Sequence, residues 1–316
     1  MSPRRLLRLW LLCVPCALLS CALPLASSGG LLMSSAHAAP STAAAVSDLQ
    51  LTVVSRAWPP LVHVRIRLPS GAFSDPTGRE GQAALCWRAA IRAAGGRSQA
   101  QLARALDALG ATLDVRVGRQ DTLIEGTTLA SQLKPFMALL ADAVLKPRLN
   151  ASDIDHARAR QLADIAARFD DDEALAHEGL VRFAHRKDAA GRPADGDATS
   201  LATITAAHCR AYHHAVIAGV TPRFGFAGAI DQTAAATLVR ASFGPLVGSR
   251  APLSFAANRP LVAPVVAGRR LLLLDHPGRK QASIMLGFPT VGSTHPDLLA
   301  LRLADAVIGG AFTSRL

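Results

Sequence analysis

Residues 78–91 read GREGQAALCWRAAI, and this stretch decides how the rest of the chain is understood. The spacing predicts a helix over about 79–94, stopped by Gly95 and Gly96. Within it Ala84, Trp87, Arg88 and Ile91 stand at i, i+3, i+4 and i+7, so they share one helical face. That face is apolar with a single cation.

The flanking sequence supplies a sheet and more helices. LQLTVVSRAW and LVHVRIRLPSG, separated by Pro59 and Pro60, show the alternation of half-buried strands, with Val62, Val64, Ile66 and Leu68 on one side. After the opening helix, Ser98 and Gln101 form a capping-box pattern ahead of a Leu102, Leu106, Leu109 stripe that ends at Gly110. ATLDVRVGRQDTLIEGTTL reads as a hairpin. A helix is expected over about 131–145, carrying Leu133, Phe136, Leu140 and Val144. Another starts near Ser152 and runs through Leu162, Ile165 and Phe169. Asp170, Asp171, Asp172 and Glu173 suit the start of the next helix, where acids meet the positive end of the dipole. AHRKDAAGRPADGDATS is expected as a polar loop, followed by a helix near 205–214, a strand at 221–228 and a helix over 231–243. The fold class is α+β, a two-layer domain of helices on a largely antiparallel sheet.

Half of the residues are hydrophobic, much of that alanine, so a chain of 316 residues can bury a sizeable core. Residues 1–38 read as a signal peptide. A basic start at Arg4, Arg5 and Arg8 precedes an apolar run, and Ala36-His37-Ala38 marks the cleavage site. Left uncleaved, the run is long enough to span a membrane, and Leu18-Leu19-Ser20-Cys21 forms an imperfect lipid-attachment box. Residues 39–47 are a spacer. Export to the bacterial periplasm is the expected localisation, with no membrane association after cleavage. The net charge of +11 falls to about +8 without the leader arginines. The basic residues are spread out and not interleaved with aromatics, which excludes a nucleic-acid partner. The mature chain keeps Cys86 and Cys209, read as two buried thiols, although export permits a disulfide.

Residues 245–268 carry four prolines and little periodicity, as a linker would. From 269 the order strand, turn, strand, polar loop, helix, Gly-Gly repeats the start of the first unit, with Gly309-Gly310 in the role of Gly95-Gly96. A first domain over 48–244 and the incomplete beginning of a homologous second one, 269–316, are therefore expected.

In order and spacing, LPSGAFSDPTGREGQAAL, GGRSQAQLARALDALGATLD, LLADAVLKPRLNASDIDHARARQL, SFGPL, LLLLDHPGRKQASIMLGFP and ADAVIGGAFTSRL together resemble the insulinase/pitrilysin family of zinc metallopeptidases, which includes the mitochondrial processing peptidases. The resemblance implies duplicated α+β domains. It also implies a first helix bearing His-x-x-Glu-His, in which both His bind zinc and the Glu activates water, with a third carboxylate ligand on a later helix. Aligned on GREGQAAL, the first His position falls on Ala84, the Glu on Trp87 and the second His on Arg88; the distal position falls at or beside Asp164. Ala has no donor, Trp is no base and Arg is a fixed cation. No two of the ten histidines stand at i and i+4. The resemblance therefore implies a non-catalytic, degenerate member, with no zinc of its own, paired with a zinc-bearing homologous subunit that cuts peptides. The alternatives are a periplasmic peptide-binding scaffold using an exposed strand over Asp114–Arg119, or a non-functional fragment. An active zinc metallopeptidase is the least expected.

Overall fold

The computed structural model describes residues 49–310 apart from 186–187, 249–267, 269, 289 and 293–294. The expected leader and spacer, and most of the expected linker, lie outside the described residues.

Five strands among them form one sheet: β1 (Gln50–Ser55), β2 (Leu61–Leu68), β3 (Thr112–Val117), β4 (Thr122–Leu129) and β5 (Arg223–Gly228). Their order is β1-β5-β2-β4-β3. β1 runs parallel to β5, and the other pairs are antiparallel. The alternation in β2 determines which face is dry. Val62, Val64, Ile66 and Leu68 are at most 2% exposed, whereas His63, Arg65 and Arg67 between them face water. A one-residue slip would exchange these two sets, so burial fixes the register. On the wet face Glu125 pairs with Arg65 and, at 2.7 Å, with Arg116.

Helices cover the dry face. The helical part of the opening stretch is α1 (Gln82–Ala90), followed by α2 (Gln99–Ala108), whose capping box at Ser98 and Gln101 is present. α3 (Leu133–Leu145) packs against β4, with Leu133, Phe136, Leu140 and Val144 all buried. α4 (Ala151–Arg168) and α5 (Asp172–Ala184) follow; Asp171 caps α5 through the N–H groups of Glu173 and Ala174. α6 (Ala198–Thr203), α7 (Ala206–Gly219) and α8 (Gln232–Phe243) complete the layer, and α8 lies against β1. β5, late in the chain, inserts between β1 and β2, so residues from both sides of the helical stretch share one core. The result is the expected two-layer α+β domain.

Some expectations need correction. The stretch at 184–200 is not loop throughout: α6 starts within it, started by a capping box between Asp197 and Ser200. Phe169 is 57% exposed and does not continue the stripe of α4. The strand-turn-strand expected after 269 is absent from the described residues. Leu271, Leu273, Ile284 and Phe288 are each more than 80% exposed. A strand needs a neighbour for its N–H and C=O groups, and no described strand lies beside these residues. They run along α5 instead, where His276 meets Asp172 at 3.1 Å and Arg279 meets it at 3.4 Å. α9 (Leu298–Asp305) forms, but Gly309 and Gly310 lie in a π-helical turn, whereas Gly95 and Gly96 take positive φ of 59° and 77°.

Candidate functional site

α1 begins at Gly81, which has φ 84° and offers no side-chain cap. The cap comes from outside the helix. The Asp75 carboxylate accepts the N–H groups of Gly81 at 2.9 Å and Ala83 at 2.8 Å, where the helix dipole favours an anion. Burial nevertheless dominates and pushes the Asp75 carboxyl up to about 7, against the lowering effect of those two N–H groups and of Arg192. A folded-state pKa above the unfolded value means that the folded chain holds the proton more tightly. Stability from this group is therefore full below about pH 4, falls as pH rises towards 7 and then levels off. Asp75→Asn is expected to flatten this part of the pH–stability curve, measured as urea midpoints between pH 4 and 8.

Two glycines set what approaches the helix start. A Cβ on Gly81 would run into the Asp195 carbonyl, and one on Gly196, at φ 71°, into that of Glu80. Gln161 of α4, fully buried, donates to the Asp195 carbonyl at 2.8 Å and the Gly81 carbonyl at 3.3 Å. The start of α1, the 193–197 loop and α4 are thereby locked together, which brings Asp195 to Arg88. Gly81→Ala combines a strained φ with a backbone clash, and is expected to cost more than the roughly 1 kcal/mol of a usual glycine replacement. A thermal midpoint unchanged from the parent would contradict this.

The face of α1 singled out in the sequence divides in two. Ala84 and Trp87 are each 1% exposed and belong to the core. The Trp87 ring meets His213 of α7 edge-on, with centroids 5.6 Å apart. Burial lowers the pKa of His213, and its Nε2–H donates to the Val144 carbonyl at 2.8 Å. Among the described residues the Trp87 indole N–H has no hydrogen-bond partner at full bonding geometry. The Tyr212 hydroxyl, which lies beside it, bonds Ser70 at 3.1 Å. Arg88, by contrast, reaches the surface. Its guanidinium spans Asp164 of α4 at 3.5 Å and Asp195 at 3.3 Å. Arg160 holds Asp164 from the other side at 3.0 Å, and Arg168 holds Asp195 at 2.8 Å.

Cys86 of α1 and Cys209 of α7 are joined by a disulfide, with Cα atoms 5.0 Å apart. The expectation of two free thiols is corrected: both are buried as expected, but the α1–α7 packing brings them within bonding reach.

The structure thus places Arg88 and Asp164 together, adds Asp195, Arg168 and Gln161, and withdraws Ala84 and Trp87 into the core. The additions come from a loop and from α4 positions whose sequence spacing carries no signal. These side chains do not fit a zinc ion. Ala84 and Trp87 offer no ligand atom, and the Arg88 guanidinium sits within 3.5 Å of the carboxylate at the distal position. Among the described residues no group of three or more His, Cys, Asp or Glu could hold a metal. No helix among them is long and apolar enough to cross a membrane.

Solved structures share the fold. The fold is similar to a peptidase M16 inactive domain from Pseudomonas fluorescens, with a TM-score of 0.58 and 20% identity over 65% of this chain and 50% of that one. Pitrilysin matches with a TM-score of 0.57 and 14% identity over 64% of this chain and 22% of that one. The first half of the periplasmic protease PqqL from Escherichia coli also gives 0.57, at 15% identity over 65% of this chain and 46% of that one. Sequence models then identify the family: residues 52–197 match insulinase (peptidase family M16), and 203–316 match the peptidase M16 inactive domain. The chain belongs to the insulinase family, M16. An uncharacterized zinc protease of Mycobacterium tuberculosis is 31% identical over 224 residues, covering 70% of this chain and 50% of that protein. One of Streptomyces coelicolor is 28% identical over 233 residues, covering 70% and 48%. The chain spans about half the length of the curated relatives it matches. The two family matches meet near residue 200, but β5 and α8 beyond that point complete the sheet and core that begin at β1.

Proposed function

We propose that this chain is an exported, non-catalytic M16 subunit that acts in peptide proteolysis beside a separate zinc-bearing homologue. One observation carries the reading: the guanidinium of Arg88 neutralises Asp164, while Trp87 fills the core where a water-activating Glu would stand. The helix frame is kept and its chemistry is replaced by packing and ion pairing. No zinc is expected in this chain; it belongs to the partner. The Cys86–Cys209 disulfide supports an oxidising compartment such as the periplasm, since such bonds are rare where thiols are kept reduced.

Pull-down of the tagged chain from its own host tests the pairing. Recovery of an M16 homologue with an intact His-x-x-Glu-His helix is expected. A chain that recovers no such homologue would overturn the pairing. A second reading, a peptide-binding scaffold, is favoured by one feature: β3 is an edge strand, with Asp114 and Arg116 exposed, and can accept an extended peptide through its free backbone groups.

A further inference from the structure

Beside the arginine–carboxylate network lies a cleft of about 450 Å3, bounded by the end of α4, by α5 and by the 193–195 loop. It shares Arg168 and Asp195 with that network, and Pro193, Ala194 and Met285 give it an apolar wall. Most of its charges are already satisfied. Arg168 is held by Asp195 at 2.8 Å, Arg182 lies 3.7 Å from Glu178, and Asp171 is occupied capping α5.

Arg119, from the turn between β3 and β4, differs. Its Nη1 donates to the carbonyls of Ala190 and Arg192, the latter at 3.2 Å. Among the described residues no carboxylate lies within ion-pair distance of it, and its other N–H groups have no acceptor. Partial burial lowers its pKa, and Glu178, shared with Arg182, offsets this only in part. A desolvated guanidinium held by neutral carbonyls on one side is well placed to take a carboxylate on the other, because its planar fork matches one in two parallel hydrogen bonds.

We propose that the cleft binds a peptide through a carboxylate seated on Arg119, with a neighbouring side chain against Pro193, Ala194 and Met285. The carboxylate comes either from an Asp or Glu side chain or from a peptide C-terminus. The inference rests on the reading that this chain handles peptides; it does not require the zinc-bearing partner.

Isothermal titration of the isolated exported chain with three acetylated tetrapeptides tests it. One carries Glu with an amidated end, one Gln with an amidated end, and one Gln with a free C-terminus. At least one carboxylate-bearing peptide is expected to bind about tenfold or more tightly than the neutral one, and which one does so identifies the source. Arg119→Met should abolish the preference, and Arg119→Lys should weaken it. Equal binding of the three, no saturable binding of any, a preference that persists in Arg119→Met, or one left undiminished in Arg119→Lys would overturn the proposal. If Arg119→Met does not fold, the wild-type contrast and Arg119→Lys decide. Pairing is read separately: a chain that recovers its homologue yet shows no carboxylate preference sinks this inference alone.

Discussion

Trp87→Ala is expected to cost about 3–5 kcal/mol of folding stability, a large part of what holds a domain together. Trp87 is 1% exposed and packs edge-on against His213, in the cluster that includes Leu85, Cys86 and Tyr212. Truncation would remove a full indole from a close-packed layer between α1 and α7, and the stapled helices cannot collapse freely into the space. Urea unfolding followed by circular dichroism measures the effect. A midpoint shift worth less than about 1 kcal/mol would show that Trp87 lines an open wall and is not core. Trp87→Glu is expected to be at least as costly, because it would bury a carboxylate among apolar groups. A Glu at this position would therefore destabilise the fold around α1 before it could supply any chemistry.

Loss of the Cys86–Cys209 bond is the second large effect. The bond closes a loop with a sequence separation of 123 residues, which in the chain-entropy model corresponds to about 5 kcal/mol. The double Ala variant should therefore unfold at distinctly lower urea than the parent. Both sulfurs are buried, so reductant should act slowly on the native chain and quickly once urea opens it. Equal stability of the oxidised parent and the double Ala variant would remove the bond from the forces holding α1 in place.

Much of this architecture is legible in the sequence, where local pattern and tertiary environment agree. The β2 alternation, the Ser98 and Gln101 cap and the α3 stripe are each determined by residues within a few positions of one another. The shared face of Ala84, Trp87 and Arg88 is legible for the same reason, since the three occupy one turn of one helix. What that face does in three dimensions is not legible. Arg88 bonds Asp195 across 107 residues, and that approach depends on Gly81 and Gly196 tolerating conformations a side chain would forbid. The disulfide is hidden in the same way, because nothing local distinguishes a buried thiol from one half of a distant pair. The stretch after 269 fails in the opposite direction. Its order of elements reads as strand, turn, strand, but a strand exists only with a neighbour, and none of the described strands lies beside it.

On the proposed function this chain brings peptide contacts and no metal chemistry of its own. Zinc content and cleavage of a quenched peptide, measured on the isolated chain and on its reconstitution with the co-purified homologue, test it most directly. The isolated chain is expected to hold far less than one zinc per molecule and to cleave nothing, while the pair cleaves and loses activity to chelator. Stoichiometric zinc and chelator-sensitive cleavage in the isolated chain would contradict it.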